Sequence, residues 1–431
     1  MSSHHLGEKP QGKGGTAVFD QTTRGADEST LCWERLEAWA REKIQGFVQA
    51  LLEEEVTAFL GRRKSERQAA VDARAGYRNG YGKPRGLSLT AGTITVRRPR
   101  LRALEARFES RLLPLFKRRT REVGDLLPEL YLHGLAQRDF ELALRGLRGY
   151  SAPLSPSSRQ RLRAKWEAEY EAWRGRDLRD RELVYLWADG LYVKAGLEKE
   201  KAALLIVIGA LRDGTKEVLA VESGIRESTE SWKAVLRALK ARGLPSPRLT
   251  IADGHLGIWG ALAEIYPGSA EQRCWNHKLL NVLDQLPRRL HPEARALLVQ
   301  LPYAETRAEC ERLQRQFVAR YGRAYPKAVE ALERDWERMV TFYDFPREHW
   351  KHLRTTNVVE SPFAAVRLRT DAAKRYKRVA NATALIWKVL MVAQRRFRRL
   401  DAPELLSEVY HGVTYVDGVR ESVERKRGVA A

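Results

Sequence analysis

The stretch Leu183–Lys194, LVYLWADGLYVK, limits the fold more than any other part of the chain. An apolar and aromatic run, Leu183 to Ala188, leads into Asp189. Gly190 then loosens the backbone, and apolar residues resume at Leu191, Tyr192 and Val193. Such a run suits a buried strand. A carboxylate inside it must be hydrogen-bonded, neutralised or set beside a cation, because burying it bare is strongly unfavourable. The pattern returns at Pro247–His255, PRLTIADGH, where Asp253 follows a short apolar run and precedes Gly254. Asp-Gly is also ordinary turn chemistry, and one copy alone says no more than that. Two copies at strand ends are consistent with two carboxylates delivered to one edge of a sheet, and a third acid turns the reading toward a metal site.

Charge narrows the choice of partner. Lys and Arg number 77 against 55 Asp and Glu, a formal +22, so a polyanion is the expected partner. No run of about 18 apolar residues appears and no secretory signal opens the chain, so a membrane protein is not expected. Cys32, Cys274 and Cys310 are too few and too scattered for a disulfide framework and fit a reducing cytosol. At 431 residues the chain has room for two or three domains.

Residues 1–27 are rich in Gly, Ser, Thr and Lys and read as a flexible tail. Apolar positions then recur at helical spacing from about Glu28 to Arg63, with Ser29 or Thr30 as a cap and Gly61 as a stop. Tyr77–Tyr81, YRNGY, is a turn signature, and Leu87–Val96 alternates as a short hairpin or strand pair would. Between Val96 and Glu122 stand ten Lys or Arg against three acids, beginning with Arg97, Arg98, Arg100 and Arg102. A charge run is commonly a solvated face, but this density suits phosphate contacts. Val123–His133, a break at Gly134 and Gln137–Leu147 then give a helix-turn-helix outline, with Arg138, Arg145 and Arg148 nearby. Ser155–Trp173 reads as a further helix. Strands follow at about 183–194, 202–212 and 216–223, a helix at 229–242, the strand ending at Asp253, a helix at about 257–265 and a short strand near Gln272. Residues 279–350 are helical in pattern. Thr355–Ser361, TTNVVES, opens a last long helical stretch with eleven Lys or Arg against one acid between Arg367 and Arg399.

Asp189, Asp253 and Glu360 are the acids that stand out. Phosphoryl transfer on DNA needs a water or 3′-hydroxyl made nucleophilic and a leaving oxygen stabilised. Two Mg²⁺ ions roughly 4 Å apart do both, held by hard carboxylate oxygens. A long interval before the third acid is tolerable if the intervening residues fold as a unit.

YRNGY at 77–81, WADGLYVK at 187–194, TIADGH at 250–255, QRCWNHKLLNVL at 272–283 and TTNVVES at 355–361 together resemble the bacterial insertion-sequence transposases of the Mutator class, over about residues 28–400. The resemblance implies an α/β RNase H-like catalytic core interrupted by an all-helical insertion, preceded by an α-helical DNA-binding region with a helix-turn-helix. It implies a DDE triad on Asp189, Asp253 and Glu360, holding two Mg²⁺ ions that Mn²⁺ can replace. Such enzymes nick element ends and join 3′-hydroxyls to new strands without a covalent protein intermediate. The implied partners are double-stranded DNA at the terminal inverted repeats, target DNA and a second copy of the chain on DNA, in a bacterial cytoplasm at the nucleoid. The implied map is a tail (1–27), an N-terminal helical region with a hairpin (28–110), a helix-turn-helix domain (111–178), the core's first part (179–278), the insertion (279–350), the core's second part (351–400) and a C-terminal tail (401–431).

The family's Cys-x-x-His signature falls on Cys274 and His277. A core thiol with a hydrogen-bonded histidine is the plain reading, a zinc site needs two more ligands, and His277 also suits support of the ligands or of DNA. His255 suits a helix cap. Pro362, Phe363 and Ala364 follow Ser361 where the family usually has Leu-Asn and a basic stretch, and Asp371 replaces its usual Lys after Arg367-x-Arg369-Thr370. These departures touch substrate contacts rather than the triad; Arg367 and Arg369 remain candidates for phosphates. The rival readings are a decayed, non-catalytic DNA-binding regulator and a nuclease without sequence preference.

Overall fold

Helices and strands are numbered over the residues that the computed structural model describes: 35–67, 76–104, 108–114, 120–133, 156–195, 202–224, 226–254, 256–373 and 376–421. The chain divides into two units, residues 1–120 and 121–431. The first is built on helix α1 (Leu36–Leu60), which stops at Gly61 with φ 68°, a left-handed conformation open to glycine. Four short strands follow: β1 (Tyr77–Tyr81), β2 (Arg85–Leu89), β3 (Gly92–Val96) and β4 (Pro99–Arg102). The alternation over 87–96 is indeed a hairpin, β2 against β3. YRNGY is a correction: it forms β1, antiparallel to β4, and Asn79-Gly80 falls where the pairing shifts between Arg78 and Tyr81. Gly80 does take a positive φ of 62°, but inside an irregular strand rather than a turn. Leu52, Ile94, Val96 and Leu113 form this unit's small core. Gln45 and Gln49 of α1 accept hydrogen bonds from the backbone of Thr95 (2.8 Å) and Arg97 (2.9 Å).

The second unit opens with α2 (Arg121–Leu132) and α3 (Pro156–Arg174). Residues 137–147, the second helix of the helix-turn-helix outline, lie outside the described residues. Next come β5 (Leu183–Val193), β6 (Ala202–Leu211), β7 (Lys216–Gly224), α4 (Thr229–Ala241), β8 (Leu249–Ala252), α5 (Leu256–Ile265) and β9 (Ala270–Arg273). The strands make one mixed sheet in the order β7-β6-β5-β8-β9. β6 runs antiparallel to β5 and β7, whereas β8 is parallel to β5 and β9 to β8. Both faces of β5 are covered, which is why its sequence is a nearly unbroken apolar run. Leu186 and Ala188 pack with Trp232, Leu236, Ile258 and Leu262 of α4 and α5. Tyr185, Trp187 and Leu191 join the larger core on the opposite face.

That larger core is closed by the helices after β9: α6 (Trp275–Leu283), α7 (His291–Leu298), α8 (Arg307–Tyr321), α9 (Pro326–Glu333), α10 (Trp336–Val340) and α11 (Trp350–Leu353). Residues 339–342 are tied to β9 and α6: Gln272 Nε2 donates to Met339 O (3.0 Å), Phe342 N donates to Gln272 Oε1 (2.8 Å), and Trp275 Nε1 donates to Met339 O (2.9 Å). After Thr355 the sequence reads as one long helical stretch, but the structure breaks it into α12 (Asn357–Glu360), α13 (Phe363–Ala373) and α14 (Val379–Gln394). Pro362 has no N–H to continue the ladder. Tyr376 leaves helical bonding for a parallel bridge to Ala195. Glu360 therefore ends a short helix of its own, and the basic residues Arg367 and Arg369 lie on the next one. α14 packs on β7 and α3, with Gln394 Oε1 accepting from Val218 N (2.7 Å) and Lys388 Nζ donating to Glu169 (2.6 Å). Within 401–431, read as a tail, the structure has α15 (Pro403–Tyr410) and a hairpin of β10 (Tyr415–Val416) and β11 (Val419–Arg420). Leu406, Val409 and Tyr415 are buried in the main core, so apolar burial orders this segment. Among the described residues, no helix is long and apolar enough to cross a membrane.

Candidate functional site

Sheet register brings the first two acids together. Ala188 of β5 and Ala252 of β8 are partners in a parallel pair, so the next residue of each segment, Asp189 and Asp253, emerges beside the other. Asp189 is 9% exposed, and its Oδ1 accepts from Gly190 N at 2.8 Å. Gly254 turns the chain away with φ 97°. A Cβ there would collide with the Arg273 guanidinium, so glycine is needed both for the conformation and for the clearance. Arg273 in turn donates from Nε to Asp253 O (3.3 Å) and from Nη1 to Asp335 (2.9 Å). Asp335 also accepts from Arg338 Nη1 (2.9 Å), and Arg338 pairs with Glu271. The backbone at Asp253 is thus braced by a buried cation whose counter-charge comes from the helical block.

A third carboxylate stands here that sequence reasoning missed. Glu227 precedes Ser228, the N-cap of α4, and its carboxylate lies with those of Asp189 and Asp253 so that one oxygen from each falls within 4.8 Å of the others. Glu227 is 6% exposed. Side chains alternate across a strand, so position 190 faces the side opposite Asp189, and any Cβ on Gly190 would strike the Glu227 carboxylate. A Cβ on Gly257 would meet Glu227 O at 2.6 Å. No apolar run leads into Glu227, and an acid beside a serine ahead of a helix looks like ordinary capping; the only usable signal was Gly190 opposite it.

Glu360 approaches from the other side. Its carboxylate accepts from the Thr356 hydroxyl, and its Oε1 is 3.9 Å from His277 Nδ1. Cys274 Sγ lies 3.2 Å from the same hydroxyl and 3.3 Å from Thr356 N. Donor atoms of Cys274, His277 and Glu360 all fall within 4.8 Å of one another. The two groups feel each other: burial first, then the Asp253 and Glu360 carboxylates, push Asp189 up to about 7. The hydrogen bond to Cys274, helped by Glu360 and Asp253, raises His277 to about 9. Cys274 and Cys310 are both buried free thiols.

Crowded acids with a raised pKa are what a divalent cation would relieve, and carboxylate oxygens are the hard donors that Mg²⁺ or Mn²⁺ takes. The donor set at Asp189 therefore fits such an ion. Without one the crowding opposes folding. Asp189 holds its proton more tightly folded than unfolded, so its contribution is best below about pH 4, declines as pH rises toward 7 and is constant above. For this group the slope approaches about 1.4 kcal/mol per pH unit. In chelator, Asp189→Asn should flatten the fall in unfolding midpoint between about pH 5 and 7; an unchanged slope would exclude Asp189 as its source.

Arg97, Arg100 and Arg102 are exposed at and around β4 and Arg98 is half-buried, whereas Arg138 and His255 lie outside the described residues. Arg367 is exposed. Arg369 is not offered to solvent: it is 3% exposed, its guanidinium 3.7 Å from the centre of the Tyr131 ring. The expected phosphate contact at Arg369 thus falls on a side chain that is packed against Tyr131 within the fold.

Comparison with known proteins agrees over most of the chain. The family model described as Transposase, Mutator family, matches residues 19–399. A transposase for insertion sequence element IS6120 from Mycolicibacterium smegmatis is 43% identical over 69% of this chain and 92% of its own length. One for element IST2 from Acidithiobacillus ferrooxidans is 41% identical over 62% and 90% respectively. One for element ISRM5 from Rhizobium meliloti is 32% identical over 80% and 85%.

Proposed function

Since the chain belongs to the Mutator family of transposases, and so is a transposase of the insertion-sequence kind, we propose that it cleaves the ends of its element and joins them to target DNA by a DDE mechanism on Asp189, Asp253 and Glu360. The observation that carries this reading is the parallel register of β5 and β8, which sets Asp189 beside Asp253, with Glu360 near enough to raise the Asp189 pKa. An RNase H-like core is supported by the order β7-β6-β5-β8-β9, antiparallel for the first three strands and parallel thereafter. The helices after β9 are then an insertion that ends before Glu360, and α2 is the first half of a helix-turn-helix.

Family membership implies a divalent metal. When bound, such ions lower the pKa of the attacking water or 3′-hydroxyl and offset charge on the leaving oxygen. The chain's part is to hold Asp189 and Asp253 on rigid strand ends, to carry Glu360 to them on α12, and to brace Asp253 through Arg273. Arg367, exposed one helix beyond Glu360, contacts the DNA backbone. Two copies of the chain act on paired ends, one for each terminal repeat.

The test is the full chain, DNA carrying both ends of its own element, and Mg²⁺. Nicks at the element boundary and joined products are expected; cleavage indifferent to the terminal sequence would instead make it a plain nuclease. Arg97, Arg98, Arg100 and Arg102 supply phosphate contacts in this reading. Alanine at Arg97 and Arg100 should make the fall of log affinity with log salt shallower by roughly one to two. An unchanged slope would remove that cluster from the interface.

A further inference from the structure

We propose that Glu227 is a fourth carboxylate of this site, and that in the DNA-free protein a divalent cation is held by Asp189, Glu227 and Asp253 while Glu360 stays outside that set. This rests on the reading of Asp189 and Asp253 as cation ligands. The geometry separates the acids into two groups. One oxygen each of Asp189, Glu227 and Asp253 lies within a 4.8 Å circle, whereas Glu360 shares such a circle with Cys274 and His277 instead. Glu360 is also engaged by the Thr356 hydroxyl. It therefore has a resting place, and must leave it to complete a set around the strand-end acids.

Glu227 is built into its position. It is 6% exposed, and a carboxylate withdrawn from water to that degree is retained only with strong compensation. The Tyr192 hydroxyl hydrogen-bonds it, and its carboxylate stands beside those of Asp189 and Asp253. Two glycines clear its path, Gly190 beneath the carboxylate and Gly257 against its backbone. Nothing about capping α4 requires this, because Ser228 Oγ already accepts from Ser231 N there. A carboxylate set down between two others is arranged for a cation with hard-oxygen preference.

The experiment is Mn²⁺ binding to the full-length, DNA-free protein, followed by water-proton relaxation. Glu227→Gln should weaken binding by roughly tenfold or more, as loss of a ligand or its close support does. Gly190→Ala should weaken it in the same direction while keeping every carboxylate, since the new methyl displaces only the far end of Glu227. Glu360→Gln should bind within about threefold of the parent. The unfolding midpoint of Glu227→Gln in chelator should equal or exceed the parent's, because one crowded charge is gone, which separates lost binding from lost folding. If Glu227→Gln and Gly190→Ala both bind like the parent while Asp253→Asn does not, Glu227 is no ligand and the proposal is overturned. If Glu360→Gln weakens binding as much as Glu227→Gln, Glu360 belongs to the resting set and the division is wrong. If Asp189→Asn and Asp253→Asn themselves bind normally, it is the DDE reading beneath the proposal that fails.

Discussion

Replacing Asp189 or Asp253 by Asn, or Glu360 by Gln, is expected to lower strand cleavage and joining by about three orders of magnitude or more, equivalent to about 4 kcal/mol in the barrier. The amides keep the shape of the side chains and lose the charge that holds a divalent ion. They should not unfold the protein. Asp189 is already pushed up to about 7 by burial and by its acidic neighbours, so a neutral group there relieves repulsion. Binding to element-end DNA should persist in a mobility-shift assay. Near-normal strand transfer by any one variant would remove that acid from the triad. For Glu360 the result is the most informative, because its carboxylate rests on Thr356 and near His277.

The second large effect is expected at the brace behind Asp253. Arg273 and Asp335 form an ion pair with side chains only 9% and 13% exposed. Asp335→Ala would leave the Arg273 guanidinium buried without its counter-charge and would take a partner from Arg338 as well. Breaking a buried pair from one side costs about 3 kcal/mol or more, so the unfolding midpoint should fall by several degrees. Because Arg273 also holds Asp253 O and fills the space over Gly254, the protein that remains folded should need more Mg²⁺ for half-maximal cleavage. Asp335→Asn, which keeps acceptor and shape, should suffer less in both measurements. A stability change under about 1 kcal/mol for Asp335→Ala would show that the pair is not structural.

The amino-acid order by itself determined the strands that carry Asp189 and Asp253, since a strand buried on both faces must be apolar throughout and a lone acid at its end stands out. It also determined the hairpin over 87–96, through its alternation, and the helical block after β9, through its period. These are local consequences of burial, and periodicity reports burial directly. It did not determine which distant groups meet. YRNGY kept the backbone preference of a turn yet became a strand, because pairing with β4 absorbed Gly80 as an irregularity. Arg369 turned inward onto Tyr131, a choice set by how α13 packs after Pro362. Glu227 joined the site only because β7 delivers the chain to the N-terminus of α4 directly over Gly190. Glu360 found Thr356, Cys274 and His277 because α12 packs beside the start of α6. Each of these depended on sheet order, on the clearance at single glycines and on the angle between packed helices. Those quantities belong to the assembled core and leave no periodic trace along the chain.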